Sequence, residues 1–175
     1  MLPDAVPSDA EHRRRVQELF TTGLLSQAME LAHVLELVGL QLPQIELQGA
    51  RLCGARLRAA NLRAAILSGA DLSGADLQGA CLAQADLGGT RLRDADLRNA
   101  DMQGASIIMA DLHGADLRGA SLWGATIMGC RLHQLDLRQV DLSACRFQQN
   151  TLQDVRWDAT THWPAGFCPP SRADN

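Results

Sequence analysis

From Leu42 to Trp157 every fifth residue is a large apolar one, with no insertion anywhere along the run. Neither common period fits, because a helix repeats its apolar positions at about 3.6 and a strand at 2. A fixed period held over such a length marks a repeat architecture, in which each unit buries its apolar face only by stacking on its neighbours. The rest of the unit is as regular. Ala stands two places before most of the apolar residues, as at Ala70, Ala75 and Ala80. Asp stands directly before many of them, as at Asp71, Asp76 and Asp86, and Gly often comes two places after, as at Gly69, Gly74 and Gly79.

The stretch Ala70-Asp71-Leu72-Ser73-Gly74 is followed at once by Ala75-Asp76-Leu77-Gln78-Gly79. These units resemble the pentapeptide-repeat family, whose repeat reads A-(D/N)-L-x-x. The resemblance implies a right-handed quadrilateral parallel β-helix with four pentapeptides per coil. The expected fold class is therefore all-β with a small α cap: about six coils, preceded by an N-terminal α-hairpin. The domain plan is a helical hairpin over 1–39, the β-helix over 40–158, and a C-terminal lid and tail over 159–175. Physical chemistry agrees with such a coil. Leu points inward and stacks on the Leu of the next coil, Ala fills a spot with room for a methyl, and Gly turns the corner where φ becomes positive.

A rod of stacked coils has two open ends, and each is a pairing template that needs covering. At the start, Ser8-Asp9-Ala10-Glu11 reads as a capping box, with Val16, Leu19 and Phe20 on one helical stripe behind it. A second helix is expected from Ser26 to Val38. It carries Ala28, Leu31, Leu35 and Val38 on one side, and Leu25, Met29, Val34 and Leu37 elsewhere. That is more apolar surface than one buried side requires. Leu25, Met29, Val34 and Leu37 are thus a candidate cap or homodimer surface. At the other end Trp163-Pro164-Ala165-Gly166-Phe167 resembles the tail of cyanobacterial members, and Trp157, Trp163 and Phe167 are expected to cover the last coil.

The composition excludes several tasks. No apolar run is long enough to span a bilayer, and the first residues lack the apolar core of a signal peptide. Five scattered cysteines without a C-x-x-C spacing point to free thiols in a reducing, cytoplasmic setting. Cys130 and Cys145 fall on the small inward position and are read as small hydrophobes. No basic patch suits nucleic acid, and no cofactor-binding signature is present. His113 and His133 lack a third ligand, so no metal site is expected. Asp before Leu is the repeat's own pattern on a convex surface, which argues against paired catalytic acids. The chain is not expected to be an enzyme.

With four units per coil, residues twenty apart become vertical neighbours. One face then stacks Asp76, Asp96, Asp116 and Asp136 beside Arg98, Arg118 and Arg138, a ladder of matched charges. Two other faces are poor in charge. There Ile108, Met109, Trp123 and Met128 form a candidate partner surface, since a contiguous exposed apolar group marks an interface. The leading expectation is a structural or protein–protein interaction module with an unknown protein partner, and with a homodimer through the hairpin as a further option. The alternative comes from the resemblance: some members mimic duplex DNA, bind DNA gyrase and confer fluoroquinolone resistance. Mimicry needs a strongly negative rod, yet residues 41–157 hold twelve Asp or Glu and twelve Arg.

Overall fold

The computed structural model describes residues 38–170. The expected N-terminal hairpin, with Leu25, Met29, Val34 and Leu37, lies outside the described residues. Within them the chain winds as a parallel β-helix and forms no α-helix. Each rung pairs with the residue twenty positions on, as in Asp71 with Arg91, Asp76 with Asp96 and Asp101 with Ser121. Four such pairing sites recur in every twenty residues, one per side of the coil. Most are single bridges. Five segments lengthen into strands: β1 Ser106–Ile108, β2 Thr126–Met128, β3 Arg131–His133, β4 Arg146–Gln148 and β5 Thr151–Gln153. The order β1-β2-β4 makes one parallel sheet and β3-β5 another.

The hydrogen bonds of one unit explain its sequence. A buried or half-buried backbone needs a partner for every amide. In the unit 71–75, Asp71 N–H donates back to Ala50 O at 2.8 Å, and Leu72 and Gly74 N–H donate forward to Arg91 O and Arg93 O at 2.8 and 2.7 Å. Ala75 N–H closes the corner on Leu72 O at 3.0 Å. One amide remains, that of Ser73, and Asp71 Oδ1 accepts it at 3.0 Å. The same bond recurs at Asp86 with Gly88, Asp101 with Gln103, Asp111 with His113 and Asp141 with Ser143. Asn61 makes it with Arg63 at 3.2 Å. Asp and Asn are the short side chains that reach a backbone N–H two residues on, and this is why the repeat favours them.

Inside, the apolar column and the Ala column form one continuous core, in which Leu67, Leu72, Leu77 and Leu97 are fully buried. Each polar residue at the small position donates to a backbone carbonyl. Thr90 Oγ1 donates to Leu67 O at 2.9 Å, Cys130 Sγ to Ile107 O at 3.0 Å and Cys145 Sγ to Leu122 O at 3.0 Å. Asn150 Nδ2 donates to Ile127 O at 2.9 Å while its Oδ1 accepts Cys130 N–H at 2.9 Å. The carbonyl of the apolar residue one coil earlier offers a lone pair to this spot, so a buried donor is satisfied there. Cys130 and Cys145 are thus weak donors as well as small hydrophobes, and burial pushes the Cys145 thiol up to about 11.

Towards the end the register slips by one residue, and Asp141 pairs with His162. Leu142 N–H donates to His162 O at 2.7 Å. Phe147 replaces the usual Leu, and its ring meets Trp163 and Phe167 edge-on at 6.0 and 5.1 Å. Trp157 meets Trp163 at 5.9 Å, and these half-buried rings pack against the core.

The carboxylate–amide bond is charge-assisted, so it links stability to pH. The Ser73 side chain and backbone hold the Asp71 carboxyl below its ordinary value of 3.8, and those of Ser143 do the same for Asp141. A group lowered on folding contributes stability above its ordinary value, and that contribution is lost as the pH falls towards the folded value. Asn accepts the same N–H without titrating. Asp71→Asn/Asp141→Asn is expected to lose less stability between about pH 5 and about pH 2 than the wild type, in urea titrations at each pH. Equal losses would show that these carboxylates are not linked to folding.

Candidate interaction surface

The sides of the coil are named here by an inward residue. On the Ile107 face, β1, β2 and β4 lie in register, with Ser106 beside Thr126 and Arg146, and Ile108 beside Met128 and Gln148. All five strands start with Ser, Thr or Arg rather than Asp, so none contains the carboxylate–amide bond. That loss permits a strand without compelling one, since Ser121 and Arg91 remain single bridges.

Ile108 is 40 % exposed, Met109 76 % and Trp123 69 %, and Met128 is half-buried beside Ile108. Met109 occupies a corner where Gly49, Gly69, Gly89 and Gly129 stand in the same column. Its φ is 56°, and it is the one large apolar side chain among the eleven described non-glycine residues with positive φ. It lies over Gly129, where an added side chain would meet Met109 Cγ at 3.6 Å. Trp123 sits on the adjoining Leu122 face, just before the corner that leads into β2, with its carbonyl accepting Gly104 N–H at 2.9 Å. The structure therefore brings Ile108, Met109 and Met128 together and places Trp123 at their border. Ala83, in the same column as Trp123 two coils earlier, is only 3 % exposed and does not belong to this surface. Ser106 and Thr126 do belong to its floor. The sequence marks them through the missing Asp.

The Leu117 face is the opposite in character. Arg98 grips Asp96 through Nε and Nη2 at 2.8 and 2.6 Å, and its Nε lies 3.8 Å from Asp116 one rung on. Arg118 repeats this with Asp116 and Asp136, and Arg138 closes on Asp136 at 2.6 Å. The Asp96 side chain holds the Arg98 guanidinium above its ordinary range. Burial pushes the Asp136 carboxyl up, but the Arg138 side chain and backbone N–H outweigh it and hold the group below the usual range. A polar groove of about 260 Å³ runs along Gln78, Arg98, Arg118, Arg138 and Gln139. Its arginines already face carboxylates, so it offers little unmatched charge to an anion.

His113 and His133 meet edge-on with ring centroids 6.3 Å apart, and His133 Nε2 lies 3.1 Å from Thr151 Oγ1. Among the described residues no three His, Cys, Asp or Glu side chains converge to hold a metal ion.

The family model of pentapeptide repeats matches in eight copies, over residues 45–84, 75–108 and 109–143, which together exceed half of the chain. Among solved structures, a pentapeptide repeat protein (Rfr23) from the cyanobacterium Cyanothece 51142 is 23% identical. The match covers 81% of this chain and 99% of that one, with a TM-score of 0.48. HetL, a pentapeptide repeat protein involved in heterocyst differentiation regulation in Nostoc sp. strain PCC 7120, is 32% identical over 73% of this chain and 65% of its own, at a TM-score of 0.28. QnrB1, a plasmid-mediated fluoroquinolone resistance protein, is 20% identical over 70% and 84%, at 0.40. No curated protein matches the chain.

The strained corner gives the surface a stability test. A side chain at positive φ costs energy that Gly avoids. Met109→Gly is expected to stabilise the rod by about 0.5–1 kcal/mol in denaturant titrations while removing the most exposed apolar side chain. A loss of stability instead would show that Met109 is a local packing residue.

Proposed function

The chain belongs to the pentapeptide-repeat family, and on that premise we propose that it is a non-enzymatic interaction module whose Ile107 face and Trp123 border dock a protein partner. The observation that carries this reading is the exposure of Ile108, Met109 and Trp123 on a rod whose repeating apolar residues, one in every five, point inward. Exposed apolar area gains on leaving water, at about 25 cal/mol per Å². Trp is enriched among the residues that dominate binding energy, and Met adapts its shape to a partner. The charged faces make poorer docking sites, because Asp96, Asp116 and Asp136 are already matched by arginines.

The gyrase-binding alternative draws no support from the charge pattern. A DNA mimic must present an unbalanced negative surface to a cleft built for phosphates. The acids and bases of residues 41–157 are equal in number, and several stand in pairs.

Trp123 is outward and does not support the core. Trp123→Ala is expected to leave the melting temperature within about 2 °C of the wild type while weakening association at least tenfold, the scale of a hot-spot side chain. Paired melting curves and affinity measurements check this, with a partner captured by photo-crosslinking from position 123. A lowered melting temperature with unchanged affinity would place Trp123 in local packing and overturn the reading.

A further inference from the structure

We propose that the occupant of the Ile107 face is a second copy of this chain, packed face to face with the two rod axes antiparallel. This rests on the reading of that face as a contact surface and adds the identity of what it contacts. The parallel ladder puts Asp86, Ser106, Thr126 and Arg146 in one outward column. Gly88, Ile108, Met128 and Gln148 form the column beside it.

These two columns are self-complementary about a two-fold axis that runs along the strand direction midway between β1 and β2. Such an axis reverses the order of the rungs and keeps each column opposite itself. Asp86 of one copy then faces Arg146 of the other, twice. Ser106 faces Thr126, and Ile108 faces Met128. Gly88, which leaves a gap beneath Ile108, faces the long side chain of Gln148. Acid meets base, hydroxyl meets hydroxyl, apolar meets apolar and small meets long. Setting the rods parallel instead would place Asp86 opposite Gly88 and leave both charges without partners.

The charges on the outer two of these four rungs suit such a contact, and the column continues below Asp86 through Ile66 and Glu46. Asp86 uses Oδ1 on its own Gly88 N–H, and neither Asp86 nor Arg146 has an ion-pair partner among the described residues. Met109 and Trp123 flank the face at its two edges, where they add apolar rim to the contact. Four rungs at about 4.8 Å each make a face smaller than the roughly 800 Å² per partner of a standard interface, so the dimer is weak, with a Kd on the order of 100 µM.

The test is sedimentation velocity of the full chain from about 10 to 500 µM, bracketing that Kd. Wild type is expected to shift towards a dimer as concentration rises. Arg146→Glu sets Glu opposite Asp86, and Asp86→Arg sets Arg opposite Arg146, so each variant alone is expected to stay monomeric. An equimolar mixture of the two restores both ion pairs, and a fluorescently labelled variant is expected to sediment as a dimer only when its counterpart is added. Melting curves establish that each variant folds. Should Asp86→Arg fail to fold, Met128→Glu, which puts a carboxylate opposite Ile108, is expected to abolish the wild-type association. A monomeric wild type across the range overturns the second copy, while the Trp123→Ala test with a foreign partner still stands. Association that survives Arg146→Glu, or a mixture that stays monomeric, overturns the antiparallel arrangement.

Discussion

Wherever the repeat keeps its Asp, the wall of this rod is completed by one hydrogen bond, from the backbone N–H after the inward apolar residue to the Asp carboxylate before it. Each five-residue unit has five amides. The ladder between coils takes three and the corner takes one, as the unit 71–75 shows. The fifth has no backbone partner within reach, and Asp71 Oδ1 supplies one for Ser73. An amide left unmade in this wall costs about 1–3 kcal/mol where it is shielded from water. A repeat that meets this need with one side chain can be stacked many times without change.

The same bond shapes the surface. A residue chosen to hold the backbone also brings a negative charge, and the arginines at 98, 118 and 138 answer it on the Leu117 face. Where Asp gives way to Ser106 and Thr126, the face loses its charge and its backbone pairs as three-residue strands. The flat, neutral floor under Ile108 and Met128 therefore comes from the same substitution that relaxes the repeat.

Much of this was legible in the residues. The period placed Leu72 and Ala75 in the core and set Asp96 beside Arg98 within one coil, and the stacking of residues twenty apart set Ile108 beside Met128. The role of Asp was not legible, because a period shows where a residue recurs and not which amide it meets. Cys130 and Cys145 read as small hydrophobes. Their contact with the carbonyls of Ile107 and Leu122 depends on a lone-pair direction that exists only in three dimensions. Ala83 shares the outward column of Trp123, yet it is buried.

Amide hydrogen exchange measured residue by residue tests the carboxylate–amide bond most directly. His113 and Arg93 occupy the same place one coil apart. The His113 amide donates to Asp111 Oδ1 at 3.2 Å, whereas Arg93 follows Arg91 and no such carboxylate precedes it. The Arg93 amide is expected to exchange at least tenfold faster than that of His113, and Asp111→Ala should bring His113 to the rate of Arg93. Equal protection of the two amides in the wild type, or a His113 rate unmoved by Asp111→Ala, would contradict the claim that this side chain completes the wall.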